Sequence, residues 1–304
     1  MAGIRVRVSA APPAESAILG PGAVYPFAMV RYDLHCHSTY SDGLLPPADV
    51  VRLAASRGVD VLALTDHDEI AGLAEAQAAA RDAGIRFVNG AELSVSWETH
   101  TLHIVGLKLD PAHAPLAEGL ADVRAGRDGR ARRIAASLAE AGIPDAFEGA
   151  RVYVTSESLI SRTHFARFLV EMGHVRDVKD AFKRFLAPGK PGYVPHAWAS
   201  LTDALTWIRG AGGDAVIAHP GRYKMSRDDM RRLLGEFRDA GGVAIEVLSS
   251  SHTADQNDQY ATLARVFGLK ASCGSDYHGP GESWMEFGDL PALPAGTTPV
   301  WSGW

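Results

Sequence analysis

The segment Asp33-Leu34-His35-Cys36-His37-Ser38-Thr39-Tyr40-Ser41-Asp42-Gly43 places two histidines one residue apart, with an aspartate five residues after the second. An apolar lead-in of Phe27, Met29, Val30, Tyr32 and Leu34 reads as a strand. Residues i and i+2 of a strand point to the same face. His35 and His37 can therefore offer two imidazoles to one metal ion, with Asp42 reaching in from the loop beyond. One such pair carries little weight by itself.

Suitable partners recur along the chain. Val59–Thr65 is a short β-rich run ending in Asp66-His67-Asp68, and Ile85–Ala91 ends in Glu92. Thr101–Gly106 carries His103, and Ala215–Ala218 ends in His219-Pro220. Lys270–Ser275 ends in Asp276-Tyr277-His278, a second i, i+2 donor pair. A single His or Asp at a strand end is ordinarily a capping or core-edge residue. Six such segments, all supplying His, Asp or Glu, point to a metal centre. Imidazole and carboxylate together suit Mn²⁺, Fe²⁺ or Zn²⁺. Clustered cations neutralise a phosphate and acidify a water that can attack phosphorus. No P-loop, Ser-His-Asp arrangement or Gly-x-Gly-x-x-Gly loop competes with this chemistry.

The elements that position these donors alternate. Helical spacing over Pro46–Arg57 stops at Gly58, and the alanine-rich Ala71–Ala83 stops at Gly84. Leu201–Arg209, Arg227–Ala240 and Asp255–Phe267 are likewise closed by glycine. Strand and helix alternate over 30–109 and 214–278, which predicts an α/β barrel with its site at the carboxyl ends of the strands. The alternation breaks over 111–195, where helical runs fall at Ala114–Ala141, Ser161–Met172 and Val178–Phe185. An insertion between the His103 and His219 strands emerges on the donor side and is expected to roof the site. Residues 113–192 hold thirteen Arg and Lys against ten Asp and Glu, a net of +3 in a chain of net −6, which leaves −9 elsewhere. A basic cap over an acidic, metal-filled barrel suits an anionic substrate.

With 304 residues, 46% of them hydrophobic, the chain can build a barrel core plus a smaller cap. The domains expected are a disordered leader over 1–28, a barrel from 29–110 and 196–304, and an inserted helical cap over 111–195. Met29 is an alternative start of translation. Cys36 and Cys273 read as small buried thiols, not a disulfide framework, so a reducing, cytoplasmic location is expected. No run of eighteen apolar residues suggests a membrane span.

These motifs resemble those of the PHP-domain phosphoesterases: a His-x-His-x4-Asp-Gly opening, Thr-Asp-His, a Glu closing a strand, a later His, Ala-His-Pro, and Ser-Asp-x-His. All occur here in order between residues 33 and 278. The resemblance implies a distorted seven-stranded (β/α)7 barrel holding two or three divalent ions, with Mn²⁺ favoured over Fe²⁺ or Zn²⁺. It implies His35, His37, Glu92 and Asp276 for one ion, and His103 and His219 sharing Glu92 for a second. Asp42, His67 and His278 would hold the third. Asp276 and His219 are the candidate catalytic residues, Asp276 also orienting the attacking water.

Within that family the insertion, the Arg162-Thr163-His164 segment and the Thr297-Thr298-Pro299-Val300-Trp301 ending resemble one branch. It contains 3′,5′-nucleotide bisphosphate phosphatases and 5′-to-3′ exoribonucleases acting on 5′-monophosphate RNA. A nucleotide or 5′-phosphorylated RNA is therefore the expected substrate, with no obligate protein partner implied. A histidinol-phosphate-type phosphatase is the near alternative, and a non-catalytic metal-dependent binding protein a remote one. A role as a polymerase module is not expected at this length. Candidate substrate contacts are Arg162, His164 and Arg167, which open a helix where free N–H groups favour anions, with Lys190 in a Pro/Gly loop. Tyr193 or Trp198 could stack a base. Ser250 and His252 lie beyond the Gly242–Leu248 strand, inside which Glu246 is expected to anchor a ligand imidazole. Arg124, Arg127, Arg130, Arg132 and Arg133 read mostly as solvated helix surface. His100, His113, His174 and His196 read as polar surface or supporting residues.

Overall fold

A computed structural model describes residues 30–155, 159–283 and 285–304. The leader over 1–28 and the lead-in residues Phe27 and Met29 lie outside these residues. The elements run β1 (Tyr32–Asp33), α1 (Pro47–Ser56), β2 (Val61–Leu64), α2 (Leu73–Ala83), β3 (Arg86–Trp97) and β4 (His100–Leu107). The insertion follows, with α3 (Ala114–Glu140), α4 (Ala146–Arg151), α5 (Arg162–Glu171) and α6 (Val178–Ala181), which continues as a π turn over Phe182–Leu186. The barrel resumes with β5 (Ala199–Ser200), α7 (Leu201–Gly210), β6 (Asp214–Ile217), α8 (Arg227–Asp239), β7 (Ala244–Ser249), α9 (Ala254–Phe267) and β8 (Lys270–Gly274).

The sheet runs β1-β2-β3-β4-β6-β7-β8, with β5 paired to β3. Closure is made just past β8, where Leu34 N donates to Cys273 O at 3.0 Å, Asp276 N to His35 O at 2.8 Å and His37 N to Tyr277 O at 2.8 Å. Alternation along β2 explains the layering. Val61 and Ala63 join Val88, Val105, Leu107, Val216 and Ala218 in one buried cluster. Leu62 and Leu64 face the other way, onto Val50, Val51 and Ala54 of α1 and Leu73, Ala76 and Ala80 of α2. Helix ends follow local rules: Thr253 and Gln256 form a capping box on α9, and Gly268 at φ 67° ends it.

Two expectations change here. Strand and helix do not alternate throughout 30–109, because β3 and β4 form an antiparallel hairpin with Trp97 opposite His100. β4 also pairs antiparallel with β6. Glu92 accordingly lies inside β3, not at a strand end. A carboxylate within a buried strand reads as a terminator unless its partners are visible, and those partners are distant in sequence. The opening strand is also shorter than read, since β1 holds only Tyr32 and Asp33 among the described residues.

The insertion has its own apolar core, built from Ala131, Ile134 and Leu138 of α3 with Ala146, Phe165, Leu169 and Leu186. The first turns of α3 belong elsewhere, because Leu116 and Leu120 pack into the barrel's outer layer with Leu205 and Ile208 of α7. One helix is thus rooted in the barrel wall and rises into the cap.

The closing seam is tight at Gly274, where an added Cβ would lie 2.2 Å from His35 Cβ and 2.9 Å from His35 N. Gly274→Ala is expected to cost roughly 1–3 kcal/mol through overpacking. Urea unfolding of the metal-free protein should show a lower midpoint with an unchanged slope.

Candidate metal centre

Barrel closure lines up the first and last motifs. A parallel bridge pairs Cys36 with Tyr277, and a second pairs His67 with Glu92. Backbone on each side of Cys36 stays extended, so His35 and His37 turn to the site. Cys36 faces away and directs its thiol to Ala63 O at 3.2 Å. His67, His219 and Asp276-Tyr277-His278 follow the ends of β2, β6 and β8, whereas Glu92 and His103 come from the β3–β4 hairpin.

Glu92 is at the centre and fully buried. Its Oε2 lies 3.3 Å from His35 Nε2, 3.3 Å from His37 Nε2 and 3.0 Å from His67 Nδ1. Its Oε1 lies 2.8 Å from His103 Nδ1 and 2.9 Å from His219 Nε2. Burial alone would raise this carboxyl, but His103, His35 and His67 outweigh it and hold it well below its ordinary value. Three overlapping donor groups result: His35, His37, Glu92 and Asp276; His37, Asp42, His67 and His278; and His67, Glu92 and His103. His37, His67 and Glu92 each belong to two groups, and His219 adjoins the third through Glu92 Oε1.

The donors fit divalent ions. Asp42 Oδ1, His67 Nδ1, Glu92 Oε2 and His219 Nδ1 are buried without a hydrogen-bond partner, an arrangement that would be costly in the absence of a ligand. Oxygen and imidazole nitrogen together match Mn²⁺, Fe²⁺ or Zn²⁺.

Surrounding residues hold the donors in place. Glu246 accepts from His35 Nδ1 at 2.7 Å through Oε1, and from the His219 backbone through Oε2. It anchors the ring of His35 and the backbone of His219, as carboxylates around metal sites do. Asp66 accepts from Ser38 N at 2.7 Å, Ser38 Oγ at 2.6 Å and Ser41 Oγ at 2.6 Å, ordering the loop that carries Asp42. Asp68, His219 and Asp276 have φ of 48°, 26° and 53°. Such values are uncommon outside glycine and concentrate at functional sites. Arg222, on the 3₁₀ turn Pro220–Arg222, pairs with Asp276. Sequence reading missed it, although a cation two residues after Ala-His-Pro was a visible cue.

In the cap several expectations are revised. Arg127 and Arg130 are 4% and 8% exposed, not solvated. Arg127 pairs with Asp68, and both guanidinium groups lie over the Trp198 ring, at 4.8 and 5.1 Å. Arg162 is half-buried between Phe182 and Tyr193 and donates to Leu186 O at 3.2 Å. The opening of α5 is not free for an anion, since Ser161 Oγ accepts from Thr163 N and His164 Nδ1 accepts from Ser161 N, both at 3.0 Å. Burial pushes His164 down to about 4, so it is neutral at physiological pH. Arg167 is consumed by Glu282 and by Asp42 O, which makes it a strut. Both nitrogens of His252 are occupied, by Val247 O and Gly221 N, each at 3.1 Å. Lys190 is exposed. Ser250 Oγ is buried and unpartnered.

Replacing Glu92 by Ala is expected to remove at least two ions together, which metal analysis of the purified variant will read. Metal uptake should also release protons. Burial works against a charged His37, but Asp276 and Glu92 outweigh it and push it up to about 10. His35 is likewise raised, burial being overcome by Glu246, Glu92 and Asp276. These shifts favour protons on the pair in the metal-free protein, and those protons must leave before both rings can ligate. Affinity should rise with pH, and calorimetry in buffers of different ionisation enthalpy should register proton release.

The chain matches the PHP domain model over residues 33–250. A 3′,5′-nucleoside bisphosphate phosphatase of Chromobacterium violaceum is 54% identical over 273 residues, covering 90% of this chain and 96% of that protein. The 5′-3′ exoribonuclease Rnm of Escherichia coli is 43% identical, covering 90% and 94%. A solved amidohydrolase from Chromobacterium violaceum, with bound sulfate and no metal, superposes at a TM-score of 0.87 with 53% identity, covering 90% of this chain and 95% of that one. A proposed metal-dependent phosphoesterase from Bifidobacterium adolescentis superposes at 0.75 with 27% identity, covering 89% and 93%. With the ordered motifs, the closed barrel and relatives that align nearly end to end, this chain belongs to the PHP domain family.

Proposed function

We propose that the protein is a metal-dependent phosphoesterase that hydrolyses the 3′-phosphate bond of 5′-phosphorylated nucleotides. It would act as a 3′,5′-nucleotide bisphosphate phosphatase, a 5′-to-3′ exoribonuclease on 5′-monophosphate RNA, or both. The observation that carries this reading is a cluster of guanidinium groups beside the donor set, Arg127 and Arg130 buried and Arg162 half-buried. Arg130 and Arg162 donate to the backbone carbonyls of Val194 and Leu186. Among the described residues neither forms an ion pair. Burial, then the charges of Arg162 and Arg127, push Arg130 down to about 9. These mutually repelling, largely enclosed cations have no carboxylate in an ion pair with them, and one phosphate would relieve them.

Each residue then has a task. Arg130 and Arg162 seat the 5′-phosphate, and Trp198 or Tyr193 offers a ring to the base. Ser161, next to Arg162, touches Asp42, so the next phosphate along the substrate reaches the donor set. Divalent ions bound there, with Mn²⁺ the first candidate, would neutralise that phosphate and acidify a water. Asp276, paired with Arg222, faces His35 and His37 through Oδ1 and is placed to orient the attacking water. Burial and Arg222 push His219 down to about 4, so its neutral ring suits a ligand better than a proton donor. Two free, buried cysteines fit a cytoplasmic setting. Among the described residues no helix is long and apolar enough to cross a membrane.

Phosphate release from 3′-phosphoadenosine 5′-phosphate should exceed that from histidinol phosphate, and the reverse preference would favour the histidinol-phosphate-type alternative. Arg162→Gln and Arg130→Gln should raise KM for 5′-phosphorylated substrates about ten- to a hundredfold, from the loss of roughly 1.5–3 kcal/mol of charged contact. A small chromogenic phosphodiester should be little affected, and equal losses on both would assign these residues to the fold. RNA labelled at a 5′-monophosphate should yield labelled mononucleotide at once. A ladder of long labelled fragments would mean digestion from the 3′ end.

A further inference from the structure

We infer that Ser161 and Arg167 of the cap are positioning residues for one ion of the metal centre, so that the His37, Asp42, His67 and His278 group is completed only when the cap is docked on the barrel. The inference rests on the metal-dependent reading above and goes beyond it, because neither residue is a ligand.

Asp42 is divided between two tasks. Its Oδ2 accepts from Ser161 Oγ at 3.0 Å. Its Oδ1 is buried without a hydrogen-bond partner and lies 3.3 Å from His278 Nε2 and 3.7 Å from His67 Nε2. Ser161 therefore fixes the carboxylate plane and leaves one oxygen for the ion. The serine is itself fixed as the N-cap of α5, where its Oγ accepts from Thr163 N at 3.0 Å.

Arg167, on the same helix, holds the main chain. Its Nη2 donates to Asp42 O at 2.6 Å, and its Nε and Nη2 grip Glu282 at 2.8–3.2 Å. Glu282 belongs to the loop after His278, where Ser283 Oγ accepts from His278 N at 2.8 Å. One guanidinium thus ties together the two loops that carry Asp42 and His278. The side chain is 6% exposed and makes its ion pair to Glu282 out of solvent, where such bonds are strong. Among the described residues His35, His37, Glu92 and Asp276 make no hydrogen bond or ion pair with α5, so the latch acts on one ion and spares the other two.

The test is ion stoichiometry and affinity. Wild-type protein, loaded with Mn²⁺ and desalted, should carry three ions by elemental analysis, and Ser161→Ala should carry two. Titration should place the lost ion roughly 10- to 100-fold weaker. Ser161→Thr, which keeps a hydroxyl at the cap, should restore it, and Arg167→Gln should repeat the Ser161→Ala pattern. Thermal unfolding of the metal-free forms controls for damage to α5. A wild type that holds only two ions, a Ser161→Ala protein that keeps three with unchanged affinity, or simultaneous loss of all ions would each overturn the inference. Failure of the functional reading is separate: protein that hydrolyses no 5′-phosphorylated nucleotide, yet loses a single ion on Ser161→Ala, would refute the activity and support the latch.

Discussion

A carboxylate with no access to water lies against five imidazoles, and the protein is organised around that constraint. Glu92 reaches His35, His37, His67, His103 and His219, which come from the ends or middles of four strands. An isolated buried carboxylate costs far more than a domain's net stability. Here the rings' charge and hydrogen-bonding capacity offset that cost, and bound cations would do so more fully. The hairpin β3–β4 exists in a barrel of otherwise parallel strands, and it places Glu92 and His103 together beyond the carboxyl end of β2.

Closure of the barrel is the second dependency. His35 and His37 lie past β1, Asp276 and His278 past β8, and only hydrogen bonds across the β1–β8 seam align them. Left-handed backbone at His219 and Asp276 turns each side chain inward at the strand end. Such conformations persist where surrounding contacts over-determine them, and both residues are enclosed by the seam, Glu246 and Arg222.

The cap brings a different chemistry. Arg127 and Arg130 are buried and Arg162 half-buried against aromatic rings, and of these three only Arg127 is paired to an acid. Guanidinium groups tolerate such placement because they are weakly hydrated and stack on rings. Positive charge from the insertion is thus brought beside the donors, and α5 joins that region to them through Ser161.

Much was legible in the chain itself. The spacing of His35, His37 and Asp42, and the recurrence of His, Asp and Glu after short β-rich runs, picked out residues that the fold brings together, because strand alternation is a local property. Glycines at 84 and 268 marked helix ends for the same reason. What sequence could not supply were relations between distant segments. The antiparallel hairpin put Glu92 in mid-strand, and Arg130 proved buried although its helix reads as surface. His252 and Arg167, read as substrate contacts, are consumed by Val247, Gly221 and Glu282, none of them identifiable from spacing. Composition and periodicity determined which atoms were available for metal and phosphate chemistry. Only the closed barrel and docked cap decided which of them remain unpaired, because burial and partnership are properties of packing between segments far apart in the chain.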